Sequence, residues 1–166
     1  MSRVKESFLD LFKYALIALL FIFALLILQF NSYLQPIIIF ISIVLSFVGA
    51  LAGLYFSGQP LSFTALLGLV SLMGIVVNNG IVLIDYMNRN IKSVDSIKKV
   101  CQMAIERRFR PIILSTTTTI VGLTPLLITS SEMFRPMATV IISGLFLSTS
   151  LTLIIVPMMY YNMKNI

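Results

Sequence analysis

The sequence contains no histidine, a single cysteine and only six acidic residues among its 166. With Cys101 alone and no histidine, the chain can build neither a disulfide framework nor a Cys/His metal site. An enzyme acting inside the membrane is also disfavoured, because the chain lacks histidine and any pair of carboxylates at mid-membrane depth. We therefore expect no enzymatic activity and no metal site.

Charge of either sign is also scarce. Charged residues make up 11% of the chain and hydrophobic residues 58%, whereas about a quarter of the residues in a soluble domain are charged. A water-soluble fold is therefore excluded. Apolar runs of about 20 residues can cross a bilayer as helices. The runs predict an all-α membrane protein, a five-helix transmembrane bundle within residues 14–161, with spans at about 14–30, 36–57, 63–87, 111–129 and 137–161.

Shorter segments flank or interrupt these spans. Residues 1–13 are predicted to form an amphipathic lead-in at the membrane surface, and residues 162–166 a cytoplasmic tail. The connection 88–110 has a helical period of apolar residues, with Ser93 as a candidate N-cap and Asp95 in the first turn. We expect a short amphipathic helix there, lying on the cytoplasmic surface of the membrane.

The basic residues predict an orientation in the membrane. Most of them crowd the connection between the third and fourth spans, namely Arg89, Lys92, Lys98, Lys99, Arg107, Arg108 and Arg110. By the positive-inside rule this connection is cytoplasmic, which makes the N-terminus periplasmic and the C-terminus cytoplasmic. Lys164 agrees with this orientation, and Arg3, Lys5 and Lys13 oppose it. A first helix that starts from the outer face is expected to follow a large outer domain, so we expect a portion of a longer protein.

Polar residues recur inside two of the spans. In the third span Ser71, Asn78 and Asp85 share a helical face, with Gly74 one turn from Asn78; the fourth carries Ser115, Thr118, Thr119 and Gly122. Polar side chains in a membrane helix are costly unless they face other helices or line water. The two stripes therefore predict a shared polar seam. Spacing alone leaves two interpretations open: interhelical hydrogen bonds, worth about 0.6 to 2 kcal/mol each, or a transport path.

Glycines predict close approaches between helices. Gly49 and Gly53 form a GxxxG pair in the second span, a pattern typical of closely packed membrane helices. Gly74 is assigned to helix packing as well.

Longer stretches resemble a known family. They are GLVSLMGIVVNNGIVLID from Gly68 to Asp85, RFRPIILST from Arg108 to Thr116 and GLTPL from Gly122 to Leu126, with FRPMA from Phe134 and the pair Val156 and Pro157 near the end. In this order they resemble the C-terminal membrane half of resistance-nodulation-division (RND) efflux permeases of the hydrophobe/amphiphile type. The resemblance extends from about Glu6 to Tyr161.

The resemblance implies a twelve-helix, proton-driven exporter of hydrophobic or amphiphilic compounds in the inner membrane of a Gram-negative bacterium. This chain would supply its eighth to twelfth helices. The complete pump would be a homotrimer that works with a periplasmic adaptor and an outer-membrane channel. The proton gradient would supply the energy, without a cofactor.

The resemblance also implies roles for individual residues. Acidic residues in the family's fourth helix take up protons and pair with polar partners in the tenth and eleventh helices. Asn78 stands where the best-known members have lysine, Ser115 matches a hydroxyl partner, and Arg108 matches a nearby basic position. The mobile counter-charge is therefore absent here. The predicted seam of proton-relay partners comprises Asn78, Asn79, Ser115, Thr119 and Arg108.

The acidic residues of this chain fall at or near predicted membrane ends or in connections, so a deep proton carrier is missing. We therefore expect the chain to be inactive alone. Two alternatives remain at this point. The chain could be a structural or regulatory subunit that pairs with a separate permease half, or a protein-translocation relative of the same superfamily.

Overall fold

The computed structural model describes residues 2–91, 96–129 and 132–164, without the side chains of residues 2–6, Phe8 and Thr129. The described residues form five helices: α1 (Ser2–Phe30), α2 (Leu34–Ser57), α3 (Phe63–Asn90), α4 (Ile97–Thr129) and α5 (Arg135–Lys164). Each is long and apolar enough to cross a membrane. The predicted all-α bundle of five membrane helices is thus confirmed.

Local sequence sets several helix ends. After α2, Gly58 adopts the left-handed φ of 66°, and the amides of Gly58 and Gln59 donate to the carbonyls of Tyr55 and Leu54. This is a Schellman turn, in which glycine avoids the steric penalty that a Cβ would bring. Ser62 caps the start of α3 by accepting a 3.2 Å hydrogen bond from the amide of Ala65. The predicted cap Ser93 and the adjoining Asp95 lie outside the described residues.

The chain divides into two compact units, residues 1–36 and 37–166. The first contains α1, a single helix in which the predicted lead-in and the first span are continuous. Few side chains along its apolar stretch from Leu9 to Phe30 are buried within the protein. Such an exposed apolar surface suits a helix whose surroundings are lipid or another membrane helix.

In the second unit, α5 contacts α2, α3 and α4. Its inward side carries small and hydroxyl-bearing side chains, including Ala138, Gly144, Ser148, Thr149 and Thr152. Lipid tails are as apolar as leucine, so burial from water does not drive these helices together. Close van der Waals packing and interhelical hydrogen bonds do so instead. Small residues on α5 allow its three neighbours to approach closely.

Hydrogen bonds join helices at both ends of this unit. Near one end, the Thr64 hydroxyl donates to the carbonyl of Met133 over 2.6 Å. Near the other, the Tyr160 hydroxyl donates to the side-chain carbonyl of Asn88 over 2.8 Å. Both bonds link residues about 70 positions apart in sequence. They therefore hold α3 against the start and the end of α5.

Within the described residues of the connection 88–110, no separate surface helix is observed. Residues from Ile97 onward belong to α4, which continues through Pro111 into the fourth span. Its apolar face is packed within the protein, since Val100 and Ala104 are fully buried and the Cys101 thiol donates to the carbonyl of Pro157 over 3.5 Å. The amphipathic pattern predicted that this apolar face would lie on the membrane surface, but the face packs against α5 instead. The missing amide of Pro111 removes one intrahelical bond without ending the helix.

Candidate functional site

Two exposed polar strips carry most of the predicted site residues. The α3 strip consists of Ser71, Gly74 and Asn78, and all three are exposed. The Ser71 hydroxyl donates to the carbonyl of Leu67 within its own helix. The Asn78 side chain forms no hydrogen bond with any other described residue. Its amide therefore remains able to donate and accept toward a neighbour.

Asn79 lies beside Asn78 in sequence but on a different face of α3. Its side chain is 7% exposed, among the buried residues of the helix. Two turns beyond Asn78 in the same heptad pattern, Asp85 forms an ion pair with Arg89 over 2.9 Å. An exposed pair of this kind contributes little to stability, about 0.3 to 0.5 kcal/mol. Asp85 is thus engaged at the end of the helix, away from Asn78.

The α4 strip consists of Ser115, Thr118, Thr119 and Gly122. Ser115, Thr118 and Gly122 are exposed, and Thr119 is half-buried. The hydroxyls of Thr118 and Thr119 each lie 2.9 Å from the carbonyl of Ser115. Such bonds satisfy the hydroxyl hydrogens within the helix and leave oxygen lone pairs directed outward. The strip can therefore accept hydrogen bonds from a neighbouring group.

The side chains of Asn78 and Ser115 form no direct hydrogen bond with each other in the described part of the chain. Both are exposed rather than enclosed between α3 and α4. The hydroxyl that does bridge helices is Thr116, which is buried and lies 3.0 Å from the Thr149 hydroxyl of α5. Thr116 was not among the predicted site residues. The signal for it is its position in the unbroken run of hydroxyl residues from Ser115 to Thr119.

Arg108 lies at one end of the predicted seam, beside the C-terminal part of α3. Its guanidinium carbon lies 5.1 Å from the centroid of the Tyr86 ring on α3, a cation–π contact. Its Nε atom is buried and has no hydrogen-bond partner among the described residues. A permanently charged group is thus fixed by an aromatic face and retains one donor without an acceptor.

The predicted packing glycines differ in their surroundings. A Cβ on Gly49 would lie 2.8 Å from the Cβ of Leu147, and a Cβ on Gly53 would overlap the side chain of Ser143, both on α5. Within the described residues, a Cβ on Gly74 would meet no atom within 4 Å. Gly49 and Gly53 therefore allow α2 to approach α5 closely, whereas Gly74 packs against none of the described residues.

Sequence patterns overlooked two further close approaches. A Cβ on Gly144 of α5 would overlap the end of the Leu72 side chain and lie 3.0 Å from the carbonyl oxygen of Ser46. A Cβ on Gly68 of α3 would lie 3.0 Å from the carbonyl oxygen of Met137. Neither glycine belongs to a GxxxG pair, so the folded arrangement is needed to reveal their role.

Comparison with known proteins identifies the family. The model of the AcrB/AcrD/AcrF family matches residues 4–164. The chain is 35% identical to the swarming motility protein SwrC of Bacillus subtilis over 96% of its own length and 16% of that protein. It is 33% identical to the multidrug resistance protein MdtC of Pectobacterium atrosepticum, with coverages of 87% and 14%.

Metal-exporting relatives match as well. The chain is 32% identical to the cobalt-zinc-cadmium resistance protein CzcA of Cupriavidus metallidurans over 87% of its own length and 14% of that protein. The crystal structure of a heavy metal efflux pump superposes with a TM-score of 0.88 at 26% identity, over 100% of this chain and 16% of that one. The chain thus spans about one sixth of the length of these relatives. The chain belongs to the AcrB/AcrD/AcrF family and is a membrane-bundle portion of an RND permease.

Proposed function

We propose that this chain forms the eighth to twelfth helices of a proton-driven RND efflux permease and does not transport alone. The observation that carries the proposal is the pair of exposed polar strips on α3 and α4. Polar side chains in a membrane helix are costly against lipid and normally face protein or water. The strips therefore require a neighbour, and the other half of the permease would supply it.

The proposed neighbour is an acidic group, because the strips offer donors and acceptors but no titratable side chain at this depth. Asn78, Ser115 and Thr119 would serve as its hydrogen-bond partners, whereas the predicted partner Asn79 is buried on a different face of α3. Donation from Asn78 and Ser115 would stabilise the carboxylate more than the neutral acid, since hydrogen bonds to charged groups are the stronger ones. Arg108, with its Nε unpaired, would add a fixed positive charge from the cytoplasmic side. Protonation of the carboxyl would weaken these bonds and so change the packing of the two halves.

The exported compounds are proposed to be hydrophobic or amphiphilic. The resemblance to multidrug permeases at Gly68–Asp85 and the similarity to MdtC support this substrate class. The similarity to CzcA and to the heavy metal pump favours divalent metal cations as the second candidate. The described residues of this chain hold no group of three or more side chains that could bind a metal ion. A metal site would therefore lie elsewhere in the permease.

Deleting the gene in its native host tests the substrate class. The deletion strain is expected to become at least several-fold more susceptible to amphiphilic dyes, detergents and hydrophobic antibiotics, with unchanged tolerance of Co²⁺, Zn²⁺ and Cd²⁺. The minimum inhibitory concentrations of both groups of compounds provide the measurement, and complementation with the intact gene is the control. Increased sensitivity to the metals alone would establish the second candidate in place of the first.

In the complete pump we propose a homotrimer in the bacterial inner membrane, joined to a periplasmic adaptor and an outer-membrane channel. The chain would enter the membrane with its N-terminus in the periplasm and its C-terminus in the cytoplasm. The basic residues Lys98, Lys99, Arg107 and Arg110, which are all exposed, support this orientation.

Cysteine labelling in intact cells tests the orientation. Because Cys101 is the sole cysteine, a Cys101→Ala background allows single reporters to be placed at Lys98, Gln59 and Glu132. A membrane-impermeant maleimide is expected to label Gln59→Cys and Glu132→Cys from outside, and Lys98→Cys only after the cells are lysed. The unsubstituted Cys101→Ala chain is the blank. Labelling of Lys98→Cys in intact cells would reverse the proposed topology.

A further inference from the structure

An apolar groove runs along the second unit between the N-terminal half of α4 and the C-terminal half of α5. Its cavity has a volume of about 780 Å³. The α4 wall includes Lys98, Gln102, Ile105 and Phe109, which recur every three or four residues and so form one stripe. This groove lies apart from the polar strips and from every residue of the proposed relay.

The groove has the length of a membrane leaflet. From Lys98 to Ile113 the α4 wall extends about 22 Å at the rise of an α-helix, which matches one leaflet with its headgroup region, about 20 to 22 Å. The α5 wall runs in the opposite direction, because Cys101 contacts Pro157, whereas Thr116, later in α4, contacts Thr149, earlier in α5. Tyr161 therefore lies at the Lys98 end of the groove and Ser150 at the Ile113 end.

The residues that line the two ends of the groove differ in charge. Lys98 is exposed, lines the groove and forms no ion pair with any described residue, and no acidic side chain is among the lining residues. Glu106 lies on α4 next to the stripe but outside the lining. Gln102 and Tyr161 add hydrogen-bond donors near Lys98, and a tyrosine at this depth is typical of the membrane interface. Beyond them Ile105, Phe109 and Ile154 form an apolar channel, with Ser150 at its far end.

We propose that this groove binds one anionic phospholipid of the leaflet on the Lys98 side. The lipid phosphate would lie against the Lys98 ammonium and the donors of Gln102 and Tyr161. One acyl chain would extend along Ile105, Phe109 and Ile154. A basic end and an apolar channel of leaflet length match both parts of such a lipid, whereas a free phosphate would leave the channel empty. The proposal depends on membrane insertion alone and is independent of transport.

Fluorescence quenching tests this site directly, because the chain contains no tryptophan. Phe109→Trp places a single fluorophore in the groove, in a position that is 48% exposed and already aromatic. In proteoliposomes, brominated phosphatidylglycerol is expected to quench it with about fivefold higher apparent affinity than brominated phosphatidylcholine, the preference that one lysine near a membrane surface supplies. Lys98→Gln should remove most of this preference.

Matched variants separate the groove from general surface charge. Lys99→Gln removes the neighbouring lysine, which is exposed and does not line the groove, and should leave the preference unchanged. Phe146→Trp reports from an exposed position of α5 outside the lining, where the two lipids should quench equally. Equal quenching at Phe109→Trp, or equal losses in the two lysine variants, would refute the lipid site. Loss of the preference on adding inorganic phosphate would show a site for a free anion and refute it too.

Discussion

Replacing Gly53 with alanine is expected to destabilise the membrane bundle by about 1 to 3 kcal/mol, the usual cost of overpacking a close contact. The added methyl group would overlap the Ser143 side chain of α5. Because α2 and α5 have no apolar burial from water to hold them together, they cannot easily offset a separation of this kind. Unfolding of the purified chain by titration with sodium dodecyl sulfate, followed by circular dichroism, provides the measurement.

Gly74→Ala is the matched control for that substitution. It also adds one methyl group to a membrane helix, but at a position where the described residues leave open space within 4 Å. Its expected effect on the isolated chain is neutral or stabilising by about 0.5 to 1 kcal/mol, the gain from replacing a helical glycine. Equal destabilisation by Gly53→Ala and Gly74→Ala would contradict the difference in packing between these two positions.

Asn78→Leu and Ser115→Ala are each expected to reduce transport about ten- to hundredfold in an assembled permease. Each would remove a hydrogen bond to a charged group, worth about 1.5 to 3 kcal/mol. A chimera in which residues 4–164 replace the matching segment of MdtC supplies the missing partner. Resistance to drugs in a host that lacks its own pumps is the measurement. The chain expressed alone should insert in the membrane and give no resistance above an empty vector.

Thr117→Val is the matched control in the chimera. Thr117 is exposed like Ser115 but lies on the opposite side of α4, two residues further along the helix. Removing its hydroxyl should leave resistance unchanged. Unreduced resistance in both Asn78→Leu and Ser115→Ala, or an equal loss in Thr117→Val, would contradict the proposed relay. A chimera that inserts normally yet gives no resistance, or resistance from the chain alone, would contradict the proposed function.

Gly74 is a further position of interest in the chimera. Open space around Gly74 in this chain leaves room for a helix of the other half to approach the α3 strip. A large side chain there would keep the isolated bundle intact while obstructing that approach. The polar and glycine residues of the strip thus have one explanation, as the surface on which the two halves of the permease meet.

The amino-acid pattern alone was sufficient to locate the membrane helices. The predicted spans 36–57 and 63–87 lie within α2 (Leu34–Ser57) and α3 (Phe63–Asn90), whereas α1 and α4 begin well before the predicted spans 14–30 and 111–129. Inside a membrane every backbone amide and carbonyl must be paired, which only helices and closed β-barrels achieve. An apolar run of about 20 residues has the length of a helix and not of a strand. The location of each membrane helix in the sequence could therefore be predicted without knowing which helices pack against it.

For the connection 88–110, the sequence predicted an apolar face but not what covers it. Its amphipathic period correctly marks one apolar face, but period cannot distinguish a face covered by lipid from one covered by protein. The buried positions Val100 and Ala104, and the contact between Cys101 and Pro157, show that α5 covers it. Only the folded chain could decide this, because the choice depends on residues more than 50 positions away.

The sequence by itself determined the five membrane helices and the polar character of α3 and α4, because both depend on the solvent preference of each side chain. The tertiary structure decided which of those polar groups turn inward. Thr116 meets Thr149 across a helix contact, whereas Asn78 and Ser115 remain exposed. It also decided that Gly53 is confined and Gly74 is not. Neighbouring residues on a helix point about 100° apart, so their surroundings depend on which helices pack on each side.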